Sequence, residues 1–299
     1  MGTDRIAVLM TSFNRRKLTL SCLVSLFRQE DVEDIKLTVF LVDDGCTDGT
    51  GDAVRTQFPQ VRVLQGDGTL FWNGGMRLAF DAAMTEGFDG YVLLNDDSVL
   101  YDDAVQRVVA CARAQLAIGR AAIVVGSTRS PLTGERTYGG FVKRTRGLAL
   151  WFDPVIPHSS EPLACDTMNG NVVFIPAQIA AVTGNLEERF RHHFGDIDYG
   201  LRAKRAGFQV VVAPGYAGEC SQNTTAGSWR DASVPIAKRW KILLSSKHLL
   251  VREWLLFTRR HYGWRWIHYA ASPYLKTIAS GLLPRLGRGR LSDAASPKR

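Results

Sequence analysis

The sequence predicts an α/β fold: a mostly parallel central sheet with helices on both faces, followed by a basic amphipathic helical segment. Three observations predict it. Apolar runs of strand length alternate with helix-periodic segments from residue 5 to residue 129. Each run is nearly continuously apolar, as in strands covered on both faces. Two runs end in paired carboxylates, Asp43–Asp44 and Asp96–Asp97, at the strand ends beyond which open α/β sheets bind ligands.

The elements follow in order. "RIAVLMTSF" (5–13) reads as a buried strand and "KLTLSCLVSLFRQ" (17–29) as a helix with apolar positions at 18, 20, 23, 24, 26 and 27. "LTVFLVDDG" (37–45) is the second strand, and "TDGTGDAVRTQF" (47–58) a helix capped near Thr47 or Asp48. "VRVLQG" (61–66) is the third strand, "GGMRLAFDAAMTEG" (74–87) a helix closed by Gly87, and "YVLLN" (91–95) the fourth strand. A helix over 102–116 and a strand over 121–129 continue the sheet. Residues 135–152 predict a β-hairpin turning at Gly139-Gly140. "GNVVFIP" (170–176) is a strand, followed by a short helix from Pro176 to Gly184. "DIDYGLRAKRAG" (196–207) is a helix with acidic residues first and basic ones later, as the helix dipole prefers. "FQVVVAPG" (208–215) is the last strand. The predicted division is a catalytic body over 1–230, with halves near 1–130 and 131–230, and a tail over 231–299.

The 299 residues are 45% hydrophobic, enough for a sizeable core. Five cysteines stand far apart with no CxxC pair, which predicts neither a zinc knuckle nor a disulfide framework. Their odd number fits a reducing cytoplasm, and the N-terminus has no signal-peptide shape. The net charge of +8 is uneven: residues 238–299 hold 14 basic and 2 acidic side chains, a net +12, leaving −4 for the rest. No uncharged apolar run reaches the ~18 residues of a membrane span. Ile236, Trp240, Leu243, Leu250, Trp254 and Phe257 fall on one helical face, with Lys238, Lys241, Lys247, Arg252, Arg259 and Arg260 interleaved. That pattern predicts either a helix packed on protein or an interfacial membrane helix. No nucleic-acid recognition motif accompanies the charge.

"GDGTLF" (66–71) is a poor dinucleotide fingerprint, with Phe71 at the third glycine position, and no GxxxxGK[ST] exists. An adjacent carboxylate pair such as Asp96–Asp97 is often a solvated loop. At the end of a buried strand it also suits a divalent cation whose further ligands are phosphate oxygens.

"TSFNR" (11–15), "VDDGCTDGT" (42–50), "NDD" (95–97) and "GDIDYGLRAKRAG" (195–207), in this order and spacing, resemble family 2 glycosyltransferases of the GT-A fold. "GDGTLFWNGGMRLA" (66–79) and "MNGNVVFIP" (168–176) resemble the subgroup that builds bacterial surface polysaccharides, O-antigen included, with rhamnosyltransferases among its members. The resemblance covers roughly residues 5 to 220. It implies that Thr11, Phe13, Arg15 and Asp44 hold the nucleotide, Asp44 accepting from a pyrimidine N3–H and Phe13 stacking. A plain Asx turn at "DDG" is the other reading of Asp44. Gly68, Trp72 and Asn73 fall on the donor side, Trp72 as a platform for donor or acceptor. "NDD" aligns with the DxD motif, so Asp97 is the metal ligand for Mg²⁺ or Mn²⁺ and Asp96 faces ribose or metal. Asp196, at the start of its helix, is the implied general base. Asp198 orients Arg202 at i+4, and both are placed with Asn169, Gly170, Asn171 and His193 on the acceptor side.

The resemblance thus implies an inverting, metal-dependent hexosyltransferase. Its donor would be a dTDP- or UDP-linked sugar and its acceptor a glycan or lipid-linked glycan. It would sit in the cytoplasm, peripheral to the inner face of the cell membrane through the basic tail, with no nucleic-acid partner; a homo-oligomer is left open. Two departures stand out. Many relatives carry a metal-binding histidine after the last strand, where this chain has Glu219 and Cys220, and Arg77 stands where many have asparagine. The rival readings are a nucleotidyltransferase, against which "TSFNRRK" lacks a glycine-rich first turn, and a non-catalytic nucleotide-binding module.

Overall fold

The computed structural model describes residues 3–29, 34–146, 149–191, 193–222, 227, 231, 233–244 and 251–282. Lys247 and Leu250, named above, lie outside the described residues. The chain forms two compact units, 1–223 and 224–299.

The first unit opens with β1 (Asp4–Ser12), α1 (Arg16–Leu26), β2 (Ile35–Asp43), α2 (Thr50–Gln57), β3 (Arg62–Gln65), α3 (Phe71–Glu86) and β4 (Gly90–Leu94). Then come β5 (Val99–Leu100), α4 (Ala104–Ala117), β6 (Ala122–Arg129), β7 (Gly140–Arg146), β8 (Ala149–Pro154), β9 (Leu163–Cys165) and β10 (Thr167–Met168). It closes with β11 (Val172–Pro176), α5 (Ala177–Thr183), α6 (Gly195–Arg205) and β12 (Gln209–Glu219). The main sheet runs β3-β2-β1-β4-β11-β6-β12-β5, with β9 also paired to β12, and β10-β7-β8 form a second small sheet.

The half from β3 to β4 is parallel throughout. Ser12 lies opposite Asp43 and Asp43 opposite Gln65, so these strands stop level with one another and open their loops on one edge. Alternation along β1 sends Ile6, Val8 and Met10 to one face, with Leu23, Leu26, Val105 and Val108. Ala7 and Leu9 go to the other, with Met76, Phe80 and Tyr199. Two-sided burial explains why the strands read as continuous apolar runs.

The direction of one expected strand is a finding of the structure, and two expectations are corrected. "GNVVFIP" forms β11, which runs antiparallel to both β4 and β6. The hairpin does not turn at Gly139-Gly140: Gly140 begins β7, and β7 pairs with β8 from Phe141–Pro154 to Arg146–Ala149. A Cβ on Gly140 would lie 2.4 Å from Val212 Cγ2, so this glycine admits close strand packing instead of a turn. The last strand extends to Glu219, through register shifts between Val212 and Gly218.

The second unit is not one amphipathic helix. It contains α7 (Ile236–Leu243), α8 (Val251–His261) and α9 (Trp266–Leu282). Trp254 and Phe257, on the face expected either to pack on protein or to meet a membrane, are buried. The Trp254 indole N–H donates to the Ala270 carbonyl at 3.0 Å, and Tyr262 packs on Tyr269 with ring centroids 4.7 Å apart. Among the described residues no helix is long and apolar enough to cross a membrane.

Candidate active site

The carboxylate pair follows β4. The Asn95 amide is fixed by the Asn171 carbonyl at 3.0 Å, and a turn closes from Ser98 N–H to the Asn95 carbonyl at 3.2 Å. Asp96, 5% exposed, accepts from the Thr19 hydroxyl at 3.3 Å. One guanidinium nitrogen, Arg15 Nη1, stands 3.2 Å from Asp96 Oδ1 and 2.9 Å from Asp97 Oδ2. The Cys220 thiol donates to the remaining Asp97 oxygen at 3.5 Å. Burial pushes the Asp96 carboxyl up to about 6; Arg15 opposes this, and the like charge of Asp97 adds to it. One guanidinium against two carboxylates leaves the pair short of positive charge. Glu219 does not join them, because it accepts from the Tyr101 hydroxyl at 3.1 Å. Among the described residues no group of three or more His, Cys, Asp or Glu side chains is disposed to hold a metal.

The donor-side loops are tied together by backbone bonds. Asp44 is buried, and its carboxylate accepts from Gly68 N–H at 2.9 Å, Phe71 N–H at 3.0 Å and Leu70 N–H at 3.3 Å. It therefore organises the loop before α3, a role that neither the Asx-turn nor the base-contact reading of "DDG" anticipated. Gly68, at φ +84°, stands against Gly45, where a Cβ would come 2.9 Å from the Gly68 Cα. Asn14 Oδ1 accepts from Thr47 N–H at 2.7 Å and fixes the first loop to the second. Phe13 is 53% exposed beside these loops, as a stacking residue must be. Thr11 is not presented as expected. It is buried, and a Cβ on Gly75 of α3 would lie 2.1 Å from its hydroxyl oxygen.

Trp72, partly buried in the first turn of α3, links the two halves. Its indole N–H donates to Asn95 Oδ1 at 2.7 Å. Its ring lies on Gly170, where a Cβ would stand 2.5 Å from Trp72 Cζ2. Gly170 N–H in turn donates to Asp196 Oδ2 at 2.9 Å, and Ile197 N–H donates to Asp196 Oδ1 at 2.8 Å. Burial raises the Asp196 carboxyl above the ordinary range; the Gly170 and Ile197 amides and nearby His193 oppose the rise. A raised carboxylate is a stronger proton acceptor, which suits a general base. Asn169 is partly exposed next to Gly170, and His193 is partly exposed three residues before Asp196.

Contacts within the protein hold several residues expected beside ligands. Asn73 is fully buried, and its amide donates to the carbonyls of Phe190 at 2.6 Å and Glu187 at 2.9 Å. It anchors the loop before α6 instead of touching a donor. Arg77 assists by donating to the Leu186 carbonyl at 2.6 Å. Asp198 is fully buried and accepts from Arg202 Nε at 2.8 Å, while Arg202 also donates to the carbonyls of Thr183 and Asn185. The i,i+4 pairing expected of Asp198 and Arg202 is present, and it fastens α6 to the end of α5. Asn171 is likewise buried against Cys220.

Sequence reasoning missed Thr19 and the joint hold of Arg15 on both aspartates. The four-residue helical spacing from Arg15 to Thr19 was the available signal. It also missed strain. Among the described residues, non-glycine positive φ occurs at Asn14, Phe71 and Phe194, at 53°, 55° and 71°. All three border this site, and the phenylalanines have no local polar group to favour that conformation.

The sequence matches the family described as glycosyltransferase like family 2 over residues 4–241. Comparison with curated proteins gave no match. Among solved structures, the chain is similar to the crystal structure of S. aureus TarS 1-349 in complex with UDP. That likeness has a TM-score of 0.54 and 13% identity, covering 87% of this chain and 72% of that one. TarS 1-349 alone gives 0.55 and 12%, covering 93% and 70%. The longer S. aureus TarS chain gives 0.56 and 12%, and this chain spans 49% of its length. These likenesses establish a shared GT-A-type fold. The family match, extending over most of the chain and every strand-end loop described above, makes the protein a member of glycosyltransferase family 2.

Proposed function

We propose that the protein is an inverting, metal-dependent glycosyltransferase. It moves a hexose, with rhamnose the leading candidate, from a dTDP- or UDP-linked donor to a growing, lipid-linked bacterial surface glycan. The observation that carries this is the Asn95–Trp72–Gly170–Asp196 chain, which joins the carboxylate pair of one half to the raised carboxylate of the other. UDP in a protein of the same fold supports the donor class.

The donor set fits a hard divalent cation. Two carboxylates end one strand, one of them is buried and short of positive charge, and diphosphate oxygens complete such shells. Asp97 and Asp96 would hold Mg²⁺ or Mn²⁺, which when bound offsets charge on the departing diphosphate. Phe13 stacks on the base. Gly68 admits the sugar-phosphate close to backbone, and Asn169 and His193 orient the acceptor. Asp196 takes the proton from the acceptor hydroxyl as that oxygen bonds to the anomeric carbon. The carbon–oxygen bond to the diphosphate breaks with its electron pair, and a single direct displacement inverts the carbon. The basic second unit places the enzyme on the inner face of the cell membrane, beside a lipid-linked acceptor.

Calorimetry of UDP and dTDP with Mn²⁺ tests the donor half. Asp97→Ala should weaken Mn²⁺-dependent binding by more than the roughly 10–100-fold that follows loss of an outer-shell partner. Unchanged affinity would leave the pair as a partner of Arg15 alone and remove the metal from the account.

A further inference from the structure

We propose that Arg15 is the resident counter-ion of the Asp96–Asp97 pair and gives up that place when a divalent cation arrives together with a nucleoside diphosphate. The inference rests on the metal-dependent reading above.

Every carboxylate oxygen of the pair already has a donor. Arg15 Nη1 serves Asp96 Oδ1 and Asp97 Oδ2, Thr19 serves Asp96 Oδ2, and Cys220 serves Asp97 Oδ1. A cation reaching Asp97 must displace a donor or crowd it. Thr19 and Cys220 are buried on an element of the core and at the end of another. The Arg15 side chain is 44% exposed, so it is the donor that can leave. A guanidinium and a divalent cation repel at such range and cannot share one oxygen.

The backbone at Arg15 is held while its side chain is free to turn. Its carbonyl accepts from Thr19 N–H at 2.9 Å. Asn14, just before it, is fixed through Thr47 and Cys46. The exchange is therefore a rotamer change and not a loop movement. A guanidinium released beside a diphosphate has a new anion with matching geometry. Metal alone must evict Arg15 without providing that anion, whereas metal with diphosphate provides it. The two ligands then bind cooperatively, and the pair is never left without a cation in the empty enzyme.

The test is Mn²⁺ binding, read from the electron paramagnetic resonance signal of free Mn²⁺, with and without UDP. Arg15→Gln should bind Mn²⁺ alone more tightly than the unmodified chain, within the about 5- to 150-fold range of site coupling, and should lose that factor of cooperativity with UDP. Arg15→Lys keeps the charge without the guanidinium fork and should shift the same way by less, which decides the matter if Arg15→Gln fails to fold. Equal or weaker Mn²⁺ binding by the variants, with the unmodified chain binding Mn²⁺ and UDP together, overturns the Arg15 exchange and leaves the metal reading standing. No Mn²⁺ binding by the unmodified chain with either UDP or dTDP overturns both.

Discussion

At the scale of the residue, Asp96 carries the strain of the charge arrangement. Its carboxyl is pushed up to about 6 from an ordinary value near 3.8, chiefly by burial that Arg15 does not fully offset. The folded state therefore holds more protons than the unfolded state between these values. The contribution of Asp96 to stability is greatest below the ordinary value and is lost as pH rises through the folded value, by roughly 3 kcal/mol for about two units. Asp96→Asn removes the titration. In metal-free buffer, urea melts should show the variant gaining on the unmodified protein by up to about 3 kcal/mol from pH 4 to pH 7.5. A gap that stays constant across that range would mean Asp96 is as comfortable when charged as a surface carboxylate.

At the scale of the element, one glycine sets the spacing between the two halves of the site. A Cβ on Gly170 would sit 2.5 Å from the Trp72 ring, so Gly170→Ala must push the ring away from Asn95. Overpacking of this kind costs about 1–3 kcal/mol. Thermal melts and tryptophan fluorescence should show a less stable protein with an altered Trp72 environment; an unchanged spectrum would show that the ring does not bridge the halves. This bridge was not legible in "FWNGG" and "MNGN", because it joins segments about a hundred residues apart. The parallel half was legible because its strands are buried on both faces and read as continuous apolar runs. β11 has the same composition, and nothing in its residues distinguishes an antiparallel neighbour. Gly139-Gly140 looked like a turn because sequence does not tell a glycine needed for φ from one needed for space. Phe13 directly follows β1, Asp97 follows β4 and Asp196 lies in the first turn of α6. Asp198 and Arg202 pair as their i+4 spacing implies, whereas Asn73 binds backbone carbonyls, a polar role inside the protein that motif spacing does not separate from ligand contact.

At the scale of the whole molecule, charge and chemistry are segregated. Residues 238–299 carry +12 while the rest carries −4. Trp254 and Phe257, which the sequence left between protein packing and a membrane interface, are buried. Trp264 at 83% and Ile267 at 59% exposure replace them as groups able to enter an interface, with Arg265 between. The full chain should float with anionic liposomes at low salt, less at high salt, and less after Trp264→Ser with Ile267→Ser. Equal recovery of the double variant, or recovery indifferent to lipid charge, would remove the membrane from the account.

The central claim is sugar transfer with Asp196 as the base. Asp196→Asn keeps the size of the side chain and an oxygen for the Gly170 N–H, but cannot take a proton from the acceptor. The deciding measurement is single-turnover transfer from a UDP- or dTDP-sugar, alongside Mn²⁺-dependent nucleotide affinity, with folding verified by thermal melt. The account predicts nucleotide affinity within a few-fold of the unmodified enzyme and transfer slower by about 10²–10⁴-fold. A folded Asp196→Asn enzyme that transfers sugar at a near-normal rate would contradict it.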